Sequence, residues 1–180
     1  MSTAPGELEL VRAYLNTTDI GSGSDELASP AELVAWLSER SLLESGASAG
    51  AQDLERSREL REALRALCFA NSSGELDPAA PPVLDAAAER AGLRLRFGAD
   101  GEATMASSAK GVDGAHGRLL AIVAESMRAG TWERLKACRS DDCRWAFYDA
   151  SKNHSRAWCS MAICGNRAKA RSFRERHAGA

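Results

Sequence analysis

The sequence predicts an α+β fold, in which a mostly helical N-terminal domain with one β-hairpin precedes a small cysteine-rich unit that ends in a helix. Three observations predict it. Apolar residues recur at helical spacing through the first 130 residues, an alternating segment with a Gly-rich turn interrupts them late, and four of the five cysteines follow residue 137. The predicted domains are therefore residues 1–130 and 131–180.

Composition and charge narrow the classes of protein. The 180 residues, 44% of them hydrophobic, suffice for one core plus a small appendage. Residues 1–130 hold 12 Lys/Arg against 20 Asp/Glu, whereas residues 131–180 hold 11 against 5. This division predicts two modules, of which the basic one faces an anion. Neither an apolar stretch of about 18 residues nor a secretory signal is visible, so we expect no membrane partner and a cytoplasmic location.

The elements of the first domain follow from periodicity and from helix-start residues. Ser29 is a predicted N-cap, since Pro30 suits the first position of a helix. Helices are expected at about 7–16, at 30–41, at 52–70, from Asp77-Pro78 onward, and before Gly130. The stretch "GLRLRF", "GADG", "EATMAS" predicts a β-hairpin whose first strand exposes Arg94 and Arg96.

The first domain shows no catalytic constellation. Its single histidine, His116, lies near a predicted helix start, where a solvated or capping role is expected. Cys68 lies on an apolar helical stripe, which favours a buried thiol over a nucleophile. The acidic pair Asp25-Glu26 is expected to be solvated. We therefore predict that the protein is not an enzyme.

The four later cysteines form two short-spaced pairs. Their spacing is C-x4-C, then fifteen residues, then C-x4-C, and they are Cys138, Cys143, Cys159 and Cys164. Each pair can form a turn that points two sulfurs inward, which is the arrangement that tetrahedral zinc requires. Four thiolates leave no open coordination position, so one zinc ion here is predicted to be structural. A disulfide redox switch is the competing interpretation.

The aromatic residues between the pairs complete this unit. Trp145 and Phe147 alternate, so that both can face the same side of a short strand, and Trp158 directly precedes the third cysteine. A segment of about 45 residues cannot build a sufficient core alone, so metal plus packed aromatics is the expected solution.

The segment after Cys164 predicts a basic helix over about 166–176. Arg167, Arg171 and Arg174 recur at the spacing of one helical face, Lys169 and Arg176 cover a neighbouring face, and Ala170 and Phe173 are expected to pack inward. Such a helix on a zinc unit can contact phosphates, and its arginines can read guanine in the major groove of DNA. A solvated terminal helix that offsets the acidic domain is the alternative.

These motifs together resemble the CGNR zinc finger, whose name corresponds here to the tetrapeptide at residues 164–167. The resemblance includes the cysteine pairs, the W-x-F-x-D stretch that starts at Trp145, and the W-C-S-M run at 158–161. Upstream, "YLNTTD" and "SPAELVAWLSERSLL" resemble the ABATE domain that usually precedes this finger. One departure is Lys152, which stands where the family usually has arginine and lacks its bidentate fork.

The resemblance implies a bacterial, stress-induced transcription regulator with a treble-type zinc finger built on four cysteines. It implies zinc at those cysteines and DNA contact by basic residues around the CGNR tetrapeptide. The candidate DNA-contacting residues are Lys152, Asn153, Arg156, Asn166, Arg167, Lys169, Arg171 and Arg174.

Our prediction from the sequence is a zinc-dependent regulator that binds double-stranded DNA. Its N-terminal domain is expected to sense a small-molecule effector or to mediate dimerisation, and a homodimer is expected because one small finger reads few base pairs. The open alternatives are an RNA- or protein-binding zinc adaptor, a redox-sensing zinc protein, and an N-terminal enzyme for which the finger is a scaffold.

Overall fold

The computed structural model describes residues 2–177. Its helices are α1 (Leu8–Leu15), α2 (Pro30–Glu39), α3 (Ala51–Ser73), α4 (Ala80–Arg90), α5 (Gly111–Arg128) and α6 (Asn166–His177). Its strands form three antiparallel hairpins: β1 (Thr18–Asp19) with β2 (Ser24–Asp25), β3 (Arg94–Phe97) with β4 (Ala103–Ala106), and β5 (Leu135–Ala137) with β6 (Ala146–Tyr148). The predicted α+β fold is confirmed. None of the described helices is long and apolar enough to cross a membrane.

The predicted helix starts and ends have local causes. Ser29 caps α2 as expected, because its hydroxyl accepts a hydrogen bond from the backbone N–H of Glu32 at 3.3 Å. The long helix α3 ends at Gly74, which adopts the left-handed conformation (φ +83°) that a side chain disfavours. The Ser29 cap was predicted from the sequence, whereas α3 was expected to end near residue 70 and runs on to Ser73.

The main core lies around α3, which packs against α1, α4 and α5. Fully buried leucines at 15, 33, 37, 60, 64 and 119 fill it. The same core continues past residue 130, because Trp132, Leu135 and Tyr148 belong to it. One continuous core therefore spans the predicted boundary between the two domains.

Two predictions about polar residues of the first domain are wrong. His116 is 1% exposed instead of solvated, because α5 begins five residues earlier and turns this side chain toward α3. There its Nε2 lies 2.8 Å from Ser57 Oγ. Asp25 is not free surface either, since it accepts two hydrogen bonds from the buried Arg61 guanidinium at 2.7 and 2.8 Å. The partners lie 59 and 36 residues apart, beyond the range of local patterns.

The β3–β4 hairpin is exposed more completely than its alternating pattern indicates. Arg94 and Arg96 are exposed as predicted, but Leu95 and Phe97 are 55% and 71% exposed as well. The hairpin packs on α5 through β4, so that neither face of β3 is covered by the described residues. Alternation in the sequence thus identified the strand but not what covers it.

Candidate metal centre and nucleic-acid interface

The four predicted cysteines meet at one point. The Sγ atoms of Cys138, Cys143, Cys159 and Cys164 all lie within 4.8 Å of one another. Cys143 Sγ is 3.5 Å from Cys159 Sγ, which in turn is 3.8 Å from Cys164 Sγ. Tetrahedral zinc with Zn–S bonds of about 2.3 Å separates its sulfurs by about 3.8 Å, so the donor set fits this ion.

The first cysteine pair sits on a turn that the β5–β6 hairpin supports. Cys138 directly follows β5, and its N–H donates to the carbonyl of Trp145 at 3.0 Å. The N–H groups of Cys143 and Arg144 both donate to the carbonyl of Ser140, which folds the chain back toward the metal. The Arg144 guanidinium then lies 3.8 Å from the ring centre of Phe69 on α3. The turn is thus attached to the N-terminal domain.

The second cysteine pair lies at a π-helical turn, Met161–Gly165, which contains Cys164 and leads directly into α6. Cys159 lies two residues before this turn. Ser160 starts the turn, since its hydroxyl accepts from the N–H of Ile163 at 3.3 Å and its carbonyl accepts from Gly165 at 3.1 Å. Cys164 lies within this turn, two residues before α6 begins at Asn166, so a metal ligand and the helix are close neighbours along the chain.

The electrostatics of the cluster require a cation. Hydrogen bonds from Cys138 and Cys143 raise the pKa of the Cys159 thiol far above its usual range, while hydrogen bonds from Cys143 and Cys159 lower the pKa of Cys138, so one thiol ionises at the expense of another. Four thiolates therefore occupy this volume together only when a positive ion offsets their repulsion. Because three of the four cysteines are buried and all four positions of the tetrahedron are taken, the site holds one structural zinc ion.

The aromatic residues pack as the sequence predicts. Phe147 is buried against the cysteines, and Trp145 and Trp158 are partly buried against them. The intervening residues Ala146 and Tyr148 face the other way, into the main core. The finger thus gains stability from a second source that the sequence did not reveal, because one face of its hairpin is covered by the N-terminal domain.

Side-chain hydrogen bonds reinforce this attachment. Asn16 follows α1, and its amide both donates to the carbonyl of Ala146 at 2.9 Å and accepts from the N–H of Ala146 at 2.8 Å. Further bonds run from Asn71 Nδ2 to the carbonyls of Trp132 and Leu135, from Ser72 Oγ to that of Ala137, and from Arg65 Nη1 to that of Arg144. The orientation of the finger relative to α1 and α3 is therefore determined by specific contacts.

A buried ion pair, which sequence reasoning missed, shapes the loop after β6. Lys136 Nζ donates to Asp149 Oδ2 at 2.9 Å, and the two side chains are 4% and 0% exposed. Asp149 also accepts from the N–H groups of Ser151 (3.0 Å) and Arg156 (2.9 Å). Burial alone raises the pKa of Asp149, but hydrogen bonds from Ser151 and Lys136 outweigh it and hold this pKa well below its usual range. All three residues of β5 are buried, so the alternation of apolar and polar residues, which predicts an exposed lysine, gave no signal for a buried Lys136.

The loop that this ion pair shapes carries three predicted DNA-contacting residues. Lys152 and Asn153 are exposed at its tip. Arg156 differs, because its guanidinium donates to the carbonyl of Cys159 at 2.9 Å and lies 5.1 Å from the ring centre of Phe147. This arginine is half-buried and holds the second cysteine turn in place, so its geometry indicates a structural role.

Helix α6 carries the other predicted contact residues, and all of them are exposed: Asn166, Arg167, Lys169, Arg171 and Arg174. The expectation that Ala170 and Phe173 pack inward is wrong. Both are exposed, because the helix leaves the finger after Cys164 and no described element covers it. Phe173 instead stacks on His177, with ring centres 4.1 Å apart.

Two family models match the chain, and together they cover most of it. The model described as "CGNR zinc finger" matches residues 134–177. The ABATE model, described as "Putative stress-induced transcription regulator", matches residues 8–129. Neither is a family of enzymes. No curated protein shows significant similarity to the chain.

Proposed function

Because the chain belongs to the ABATE family and carries a CGNR zinc finger, we propose that it is a zinc-dependent transcription regulator that binds double-stranded DNA. The observation that supports this most strongly is a basic helix fixed to the zinc site and left uncovered. Residues 166–177 hold five Lys/Arg and one Glu. None of these twelve residues is buried. Positive charge presented in this way attracts a polyanion.

The proposed DNA surface consists of α6 and the loop after β6. Lys152 and Asn153 on the loop, and Asn166, Arg167, Lys169, Arg171 and Arg174 on the helix, are its contact residues. Zinc connects the two parts, since Cys159 follows the loop and Cys164 precedes the helix. The metal therefore supplies folding and orientation, and the lysines and arginines supply the attraction to phosphates.

The N-terminal domain is proposed to sense a small molecule or to mediate dimerisation. A groove of about 750 Å³ lies between the start of α1, the β3–β4 hairpin and α5. Its walls include the apolar residues Leu8, Leu95, Met105 and Ile122, which supports binding of an apolar effector. Dimerisation is the alternative role of this domain, since two fingers in one dimer multiply the affinity for DNA.

The test is selection of bound sequences from random duplex DNA by the purified zinc-loaded protein, followed by titration at several salt concentrations. Arg167→Ala combined with Arg171→Ala is expected to reduce the slope of log K against log salt by about 2, because two phosphate contacts are lost. Arg94→Ala combined with Arg96→Ala is the matched control, since both arginines are exposed on the N-terminal domain.

Two results contradict the proposal. One is failure of the wild-type protein to enrich any duplex sequence at moderate salt. The other is equal salt slopes for the α6 variant and the β3 variant. The same titration includes single-stranded and double-stranded RNA as competitors. If RNA displaces the selected DNA more effectively than unlabelled DNA does, the result favours an RNA-binding adaptor.

A further inference from the structure

The exposure pattern of α6 defines which face of the helix points away from the protein. Among residues 166–177, Ala168 alone is half-buried, so its side faces the finger. Successive residues of an α-helix are rotated by about 100°, which places Asn166, Ala170, Phe173 and His177 about 140–200° from Ala168. These four form a strip, called here the outer strip, on the side opposite the finger.

Basic residues border the outer strip on both sides. Arg167, Arg171 and Arg174 lie about 60–120° to one side of its centre, and Lys169 and Arg176 lie about 80–100° to the other. A polar and apolar strip thus separates two rows of positive charge, whereas the sequence spacing placed the two basic faces side by side and turned Ala170 and Phe173 inward. This arrangement of charge is complementary to a groove whose two edges are negatively charged and whose base carries no net charge.

The major groove of DNA is such a surface. It is about 12 Å wide, which admits an α-helix, and phosphates line both of its edges. The twelve residues of α6 span about 18 Å, enough to follow the groove over several base pairs. With the outer strip toward the bases, both basic rows come near phosphates.

Resting on the proposed DNA binding, we infer that α6 reads A·T base pairs through the outer strip and that Phe173 and Ala170 contact the methyl group of thymine. That methyl is the apolar feature of the major groove, and Phe173 is a large ring left 56% exposed. His177 holds the ring by stacking on it, and its Nδ1 donates to the Phe173 carbonyl at 2.8 Å.

Asn166, about 10 Å along the helix from Phe173, is suited to an adenine. Its Nδ2 donates one hydrogen bond to the carbonyl of Ala162 at 3.1 Å. The side-chain amide retains a second N–H and its Oδ1, which are the donor and acceptor that asparagine presents to the N7 and N6 of adenine. The outer strip thus presents apolar and amide groups to the same kind of base pair.

The experiment replaces thymine by deoxyuridine, which lacks the methyl group, at each position of the duplex that the wild-type protein selects. At the contacted position, affinity is expected to fall about fourfold, the effect of one methyl group that is no longer buried. Phe173→Ser is expected to show a smaller difference between the thymine and deoxyuridine duplexes, because only Ala170 is left to contact the methyl group. Phe97→Ser, which alters another exposed phenylalanine, is expected to retain the fourfold difference.

The outcomes separate this inference from the function on which it rests. Wild-type binding to selected DNA that ignores deoxyuridine at every position overturns the inference and leaves DNA binding intact. No binding to any duplex overturns both. Phe173→Ser could instead change the sedimentation coefficient, and thus the oligomeric state, while the affinity difference between thymine and deoxyuridine duplexes stays the same. In that case the ring contacts another protein chain, and the inference is wrong. Zinc content and melting temperature of both variants verify that they are folded.

Discussion

On one side of the zinc site both strands of the β5–β6 hairpin are buried, whereas on the other side α6 contributes no buried residue among 166–177. The hairpin side contains an ion pair shielded from water and is bonded to α1 and α3. The helix side carries five positive charges in twelve residues and an uncovered phenylalanine. Both sides are held by the same four cysteines.

This difference shows how a small metal unit divides two tasks. Burial of the hairpin determines how the finger is oriented on the N-terminal domain, because packing and backbone hydrogen bonds allow one arrangement. Helix α6 lacks that support, and an isolated helix of about 12 residues is marginally stable in water. Its side chains are therefore available to a partner. Because the four zinc ligands connect the hairpin to α6, the position of the buried hairpin also determines the direction of the exposed helix.

Removal of a zinc ligand is the strongest way to break this arrangement. Cys159→Ser is expected to abolish stoichiometric zinc binding and to lower the melting temperature of the whole chain, because the hairpin belongs to the main core. A loss of about 4 kcal/mol corresponds to a decrease of roughly 8–16 °C in a chain of this size. Metal analysis and thermal denaturation by circular dichroism measure both effects.

Cys68→Ala is the control for that experiment, since Cys68 is a buried thiol outside the cluster. It is expected to retain one zinc ion per chain. An unchanged melting transition of the N-terminal domain in the zinc-free Cys159 variant would show that the two regions unfold independently, contrary to the shared core.

Each side of the zinc site contains an ion pair, one buried and one exposed, and the two pairs are expected to differ in their contribution to stability. Asp149→Ala leaves the buried Lys136 ammonium without its partner and is expected to lower the free energy of unfolding by about 3–5 kcal/mol. Asp142→Ala removes the partner of Arg171 on α6, where both side chains are at least half exposed, and is expected to cost less than about 1 kcal/mol. Urea denaturation of the two variants measures the difference; equal losses would contradict it.

The pH dependence of stability is also expected to come from a buried group, the imidazole of His116 on α5. Burial lowers the pKa of His116 to about 4, below the value of about 6.5 in an unfolded chain. The unfolded state therefore binds more protons between these values, and stability falls by about 3 kcal/mol as the pH decreases from 6.5 to 4. Urea denaturation of His116→Asn should show a weaker dependence in this range.

The matched variant for this measurement is His177→Asn on α6, where the imidazole is exposed. It should follow the pH dependence of the wild-type protein. If His116→Asn and the wild-type protein lose stability in parallel between pH 6.5 and 4, the buried imidazole is not the group that responds.

Much of the zinc site was predictable because its signals are short. The spacing of the cysteines predicted the cluster, and the alternation of Trp145 and Phe147 predicted the face that packs on it; the structure confirms both. Lys136 was missed because a lysine in a strand is ordinarily exposed, and its partner Asp149 lies across the hairpin. DNA contact by α6 stays a prediction.

The sequence by itself determined the local elements, the α+β class and the zinc ligands, since capping, periodicity and ligand spacing act within a few residues. Only the tertiary structure decided which surfaces are covered. Asn16 forms hydrogen bonds with Ala146, 130 residues later in the chain. His116 contacts Ser57, whereas Phe173 stays exposed because none of the described residues covers it. Burial depends on contacts between distant segments, and no local pattern specifies which segments meet.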